Sequence, residues 1–221
     1  MESAQGQQIQ TSQPQQRPVV VVAGASGYIG RALGPLLTKR FDVVGLSRRA
    51  RAPGDGYGEW RAVDLFSLRA TEQALRGATF AVYLVHSMSP SDRLTQGNFA
   101  DFDLLCADNF GRAAKRVGAQ QIVYLGGILP QDSEGLSKHL TSRLETEHAL
   151  GAHGVPVTTL RAGLVIGEGG SSFAIMERLV KRLPAMVCPA WTGTKAQPIA
   201  LRDTVQIIDA CLGLAELGNQ N

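Results

Sequence analysis

The sequence predicts a doubly wound parallel sheet, a three-layer α-β-α domain. Two patterns point to it. Val19 to Val22 form an apolar run typical of strands buried on both faces, and it breaks at Gly24 into a segment of helical period. Beyond that break, strand-length apolar runs alternate with longer amphipathic stretches along the chain. Such alternation implies right-handed β-α-β crossovers and a parallel sheet. The 221 residues suffice for one sizeable domain, which we assign to residues 18–221.

The elements follow in order. Met1 to Arg17 is rich in Gln, Ser and Gly and is expected to be a disordered tail, because it cannot bury enough surface to offset ordering entropy. Pro18 marks the start of the first strand. Tyr28 to Arg40 is the first expected helix, with Ile29, Leu33, Leu36 and Leu37 on its apolar face. Phe41 to Leu46 is the second strand, and Trp60 to Val63 a short third one. Ser67 is placed to cap a helix that runs through Leu75 and ends at Gly77. Phe80 to Val85 reads as the fourth strand. Phe99 to Val117 is a long amphipathic helix closed by Gly118, and Ile122 to Leu125 is the fifth strand, ending in Gly126-Gly127. Leu136 to Leu150 is helical, with Glu145 and Glu147 on a charged side. Val157 to Leu160 is the sixth strand. Ser172 to Leu183 is a short helix, and Pro184 to Pro198 is irregular. Ile199 to Leu201 is extended, and Asp203 is expected to cap a last helix through Leu214.

Composition removes several classes of function. No apolar run approaches the roughly 20 residues of a membrane span. The polar N-terminus lacks the apolar core of a secretory signal. A net charge of +3 is too small to argue for nucleic acid. Cys106, Cys188 and Cys211 are scattered and fit no metal-ligand spacing. An odd, unclustered set of thiols suggests a reducing cytoplasm.

Chemistry concentrates at the first turn. Gly24 allows a sharp bend, Gly27 lets a phosphate approach the backbone, and Gly30 lets the helix pack closely on the sheet. The stretch from Gly24 through Ser26, Gly27, Tyr28 and Ile29 to Gly30 is therefore a candidate dinucleotide site of the Rossmann kind, with the helix N-terminus facing the pyrophosphate. After the second strand the sequence reads Ser47-Arg48-Arg49, with no acid before Asp55. An acid there would accept from a ribose 2′-OH and select NAD; Arg48 and Arg49, joined by Arg31, instead suit a 2′-phosphate. NADP is favoured, NAD remains possible, and a solvated basic loop is the alternative. His86 and Ser87 follow the fourth strand at the carboxyl edge of the sheet, where ligands bind in such folds; a plain polar loop is the alternative.

With these residues in order, the chain resembles an extended or atypical short-chain dehydrogenase/reductase. The resemblance rests on Gly24-Ala25-Ser26-Gly27-Tyr28-Ile29-Gly30, Asp64-Leu65, Ile122 to Gly127, Leu160 to Gly167, and Pro198 to Asp203. Within that superfamily it looks most like the NmrA-like and YbjT-like NAD(P)-binding proteins. Tyr83 to Met88 looks like a bacterial subgroup with a further C-terminal domain. On that comparison the domain and a last strand are expected to be missing here. The resemblance implies that Asp64 and Leu65 hold the adenine. It also implies that the loop with Val85 and His86 lines the nicotinamide side, and that Arg161 to Gly167 shapes a substrate pocket.

The catalytic positions depart from that family's Ser and Tyr-x-x-x-Lys. In register with them stand Gly126-Gly127-Ile128, His139 and Arg143, with Asp103 at the position of the usual Asn. His139 is the candidate acid, since an imidazole with a pKa of about 6.5 suits proton transfer near neutrality. Arg143, one turn on, is placed to hold the nicotinamide ribose. Each has a plainer alternative: a surface histidine, and an ion pair from Arg143 to Glu147. The expected activity is hydride transfer between NADP(H) and a small carbonyl, enone or quinone-like substrate. The competing expectation is a non-catalytic cofactor sensor or assembly subunit.

Overall fold

A computed structural model describes residues 17–86, 99–130, 137–170, 177–178, 180–182 and 197–214. Its centre is a six-stranded parallel sheet: β1 (Val19–Ala23), β2 (Asp42–Ser47), β3 (Glu59–Ala62), β4 (Phe80–Tyr83), β5 (Gln121–Gly127) and β6 (Val157–Ala162). The strand order is β3-β2-β1-β4-β5-β6, so the direction of winding reverses between β1 and β4. Ligand crevices of open α/β sheets form at that reversal, outside the carboxyl ends of the strands.

Flanking the sheet are the helices α1 (Tyr28–Leu37), α2 (Leu68–Ala74), α3 (Phe99–Val117), α4 (Lys138–Gly151) and α5 (Leu201–Cys211). The period of two along β1 divides the core. Val20 and Val22 face α1 and α5, packing with Leu33, Leu37, Val205 and Ile208. Val21 and Ala23 face α2, α3 and α4, packing with Leu75, Ala107, Phe110 and Leu150. Both faces being covered explains the unbroken valine run. A small parallel pair, β7 (Val165–Ile166) with β8 (Ile199–Ala200), stands beside the main sheet.

Among the described residues the expected strands and the helices up to α4, with the last helix, are present with shifted ends. α1 stops at Leu37 rather than Arg40. Arg40 instead donates to the Asp209 carbonyl at 2.8 Å and to the Leu212 carbonyl at 3.3 Å, tying this corner to the end of α5. β6 runs on to Ala162 because Arg161 pairs with Gly126 and Ala162 with Gly127. The two glycines are thus part of β5, not a loop after it. Ser67 caps α2 as expected, accepting from the Ala70 N–H at 3.3 Å. Ser137, not Leu136, sets the start of α4 by accepting from the Leu140 N–H at 3.3 Å.

Asp203 is not the cap of α5. Strand β8 feeds straight into the helix, so Ala200 holds the cap position without a side-chain bond and Asp203 lies in the first turn. The expected tail lies outside the described residues except for Arg17, which donates to the Thr38 carbonyl at 2.5 Å. Ser87, Cys188, most of Ser172 to Leu183 and the stretch from Pro184 to Lys195 also lie outside them.

Candidate active site

The three glycines of the first turn answer to different constraints. Gly24 has φ +83°, and a Cβ there would lie 2.9 Å from the Leu84 carbonyl. A Cβ on Gly30 would lie 2.5 Å from the Gly24 oxygen and 2.6 Å from Ala25. These two glycines are demanded by the protein itself. Gly27 is not: its φ of −78° and ψ of 179° suit any residue. A Cβ there would approach only the Gly24 oxygen, at 3.1 Å. The open face at Gly27 is a cradle that a side chain would fill, as close approach of a pyrophosphate requires.

The first turn of α1 fits the same ligand. Gly27 supplies no side-chain cap, and no acid stands in the turn. The leading N–H groups of Tyr28, Ile29 and Gly30 therefore remain available to an anion at the positive end of the helix. Tyr57 fixes this end by donating from its hydroxyl to the Gly30 carbonyl at 2.7 Å. The Tyr28 ring turns away toward the loop after β7, where Gly167 and Gly170 close on its buried hydroxyl. The part of Tyr28 that faces the anion position is its backbone.

At the end of β2, Ser47 donates to the Arg49 carbonyl and folds the chain back on itself. Arg31, Arg48 and Arg49 are exposed, and their guanidinium groups have no partner among the described residues. Arg51 is drawn elsewhere, lying 5.3 Å over the Trp60 ring. Asp64 is exposed and accepts from the Phe66 N–H at 3.0 Å through one oxygen. Asn109 of α3 holds this loop, donating to the Leu65 and Phe66 carbonyls at 2.9 and 3.0 Å. Sequence reasoning missed Asn109, because a lone amide within an amphipathic helix carries no motif.

The catalytic candidates do converge. Val85 packs against the core, and His86 after it reaches across to the α4 side of the site. The His86 and His139 rings meet edge to face, with centroids 4.7 Å apart. His86 Nδ1 lies 3.7 Å from Oδ2 of Asp103, a buried residue. Arg143 donates from Nε to His139 Nε2 at 3.5 Å and from Nη1 to the Leu125 carbonyl at 3.0 Å. Glu147 is not its partner. Arg161 reaches from β6 and takes that carboxylate at 2.8 Å, so the Arg143–Glu147 pair does not form.

Burial, then the charges of Arg143 and His139, pushes His86 down to about 4 against the partial support of Asp103. His139 is lowered too, by burial and then by Arg143. Both rings are therefore neutral at ordinary pH. An acceptor role for His139 Nε2 toward Arg143 requires the proton on Nδ1.

His139, Arg143 and Leu140 of α4 line a cavity of ≈ 580 Å³ with Ile29 of the first turn, Gly127 and Ile128. The replacements are coupled in volume. A Cβ on Gly127 would lie 3.2 Å from Arg143 Cδ and 3.1 Å from Leu140. The larger guanidinium thus occupies the space beside a glycine.

A glycine turn at the sheet's reversal, sharing a cavity with titratable residues of α4, defines a dinucleotide-binding α/β protein. The chain belongs to the NAD dependent epimerase/dehydratase family, whose model matches residues 20–211, and so to the extended short-chain dehydrogenase/reductase superfamily. Its fold is similar to that of UDP-N-acetylglucosamine 4-epimerase from Bacillus cereus, with a TM-score of 0.68 and 15% identity over 91% of this chain and 74% of that one. It is also similar to the Thermus thermophilus UDP-glucose 4-epimerase in complex with NAD, with a TM-score of 0.68 and 21% identity over 88% of this chain and 74% of that one. Among curated proteins, the auxiliary protein GraX of Staphylococcus aureus is 28% identical over 145 residues, 65% of this chain. The match spans 43% of GraX.

Proposed function

We propose that this chain is an NADP(H)-binding oxidoreductase of the atypical, NmrA-like kind, acting in the cytoplasm on a small carbonyl, enone or quinone-like compound, or on the alcohol to which the carbonyl is reduced. The observation that carries the proposal is the shared cavity: Ile29 of the glycine turn and His139 and Arg143 of α4 line one space. Gly24 to Gly30 would hold the pyrophosphate, Asp64 and Leu65 the adenine, and Arg31, Arg48 and Arg49 the 2′-phosphate. When bound, the nicotinamide supplies or accepts hydride. His139 handles the accompanying proton. Because burial and then Arg143 lower its pKa, it rests neutral with its proton on Nδ1; Nε2 exchanges the Arg143 N–H for a substrate hydroxyl and takes that proton, and in the reverse direction it must first be protonated. Burial and then Arg143 keep it neutral, and Arg143 orients its ring.

The test is NADPH binding and turnover with a carbonyl and quinone panel, repeated with His139→Phe. Substrate-dependent oxidation well above the blank, falling by a factor of roughly 100 or more in the variant, supports the role. Full activity in His139→Phe removes His139 as the proton carrier.

A second reading has its own support. All four usual catalytic residue types are replaced, and GraX is described as an auxiliary protein. On this reading the chain binds NADP(H) and acts as a sensor or assembly subunit. Tight NADPH binding with no turnover on any substrate of the panel would favour it.

A further inference from the structure

Arg143 is the one cation on the wall of the ≈ 580 Å³ cavity among the described residues. It is half-buried, and two of its N–H groups are engaged, by the Leu125 carbonyl and by His139 Nε2. Both partners are neutral. Among the described residues no carboxylate lies within ion-pair distance of it. Glu147 is held by Arg161 at 2.8 Å, and Asp103 faces His86 at 3.7 Å. A half-buried guanidinium stabilised only by neutral acceptors retains unspent donors and an uncompensated charge. The rest of the wall is largely apolar: Ile29, Leu125, Ile128, Leu140, Leu164 and Val165. Nor do the two histidines compete for an anion, since both rest uncharged.

We propose that the cavity takes a small organic acid, its carboxylate forked on Arg143 and its apolar body against Ile128, Leu140 and Val165. This names the substrate class for the site proposed above and rests on that reading for any turnover. The binding itself does not require it. A planar guanidinium matches a carboxylate through two parallel N–H donors. Glycine at position 127 leaves the approach open, because any Cβ there would press on Arg143 Cδ at 3.2 Å.

The test titrates the full chain with benzoate and 3-phenylpropionate and with their uncharged amides, by calorimetry, with and without saturating NADP+. NADP+ binding is measured separately, so failure of the cofactor reading shows there alone. Saturable binding of an acid, at least tenfold tighter than its amide, is the expected result. Arg143→Gln should lose that preference, and Arg143→Lys should keep part of it. Circular dichroism establishes that both variants fold; should Arg143→Gln fail to fold, the comparison of acid with amide in the wild type decides. Amides binding as tightly as acids would overturn the proposal, as would absence of binding by either acid or undiminished acid binding in Arg143→Gln.

Discussion

At the scale of single residues, Gly27 and Gly30 separate the demands of folding from those of binding. Gly30→Ala would drive a methyl group into backbone at 2.5 Å, and we expect a loss of about 1–3 kcal/mol in urea unfolding. Gly27→Ala meets one oxygen at 3.1 Å with an ordinary φ, so its cost should stay near 1 kcal/mol, about the general average for point changes. Its NADPH affinity should nonetheless fall by roughly tenfold, about 1.4 kcal/mol. Unchanged affinity would mean that no phosphate sits there. His86 makes a second residue-scale prediction. Its folded pKa is pushed from an ordinary value of 6.5 down to about 4, so between those values the unfolded chain binds the extra proton. Its contribution to stability is complete above about pH 6.5 and is lost as pH falls toward about 4. The urea midpoint should drop across that window, and the drop should be shallower in His86→Asn. An identical slope in both proteins would show that His86 titrates normally. The glycines were legible in the sequence because spacing alone reports a turn. The neutrality of His86 and His139 was not, because it comes first from burial and then from Arg143, which packing alone brings beside His86 from another element.

At the scale of elements, the long and periodic segments were readable and the junctions were not. The helix through Phe102, Leu105, Phe110 and Ala114 and its end at Val117 were anticipated, since the apolar face repeats over successive turns. The two-residue strand β7 was missed, because two residues carry no period; pairing with Ile199 and Ala200 creates it. Gln121 reads as a polar boundary before an apolar run, yet it lies fully buried within β5. Its amide donates to Thr158 at 2.8 Å and to the Cys211 carbonyl at 3.0 Å, and its oxygen accepts from the Gly213 N–H at 3.0 Å. Tertiary partners alone make that burial tolerable. Asn109 acts similarly on the loop after β3. Asn109→Ala would leave the Leu65 and Phe66 carbonyls without their donor, costing about 1–3 kcal/mol by chemical denaturation. It should also weaken NADPH through loss of order at Asp64. A stability loss without any change in binding would confine Asn109 to the fold.

At the scale of the whole molecule, the proposed choice of NADP draws on parts distant in sequence. Arg31 belongs to α1, and Arg48 and Arg49 follow β2. Replacing Arg48 and Arg49 together by alanine should weaken NADP at least tenfold more than NAD in parallel titrations. Equal losses would remove the 2′-phosphate assignment. The sequence by itself determined the class of fold and the position of the glycine turn. Those features are local: a period of two or 3.6 and the freedom of glycine act within a few residues. Only the tertiary structure decided what those residues touch. It gave Glu147 to Arg161 rather than to Arg143, brought His86 against His139, and left Arg143 on a cavity wall without a carboxylate partner among the described residues. The physical reason is that charge pairing and desolvation act through space between β4, β5, β6, α3 and α4. No spacing along one chain segment encodes which of several partners arrives first.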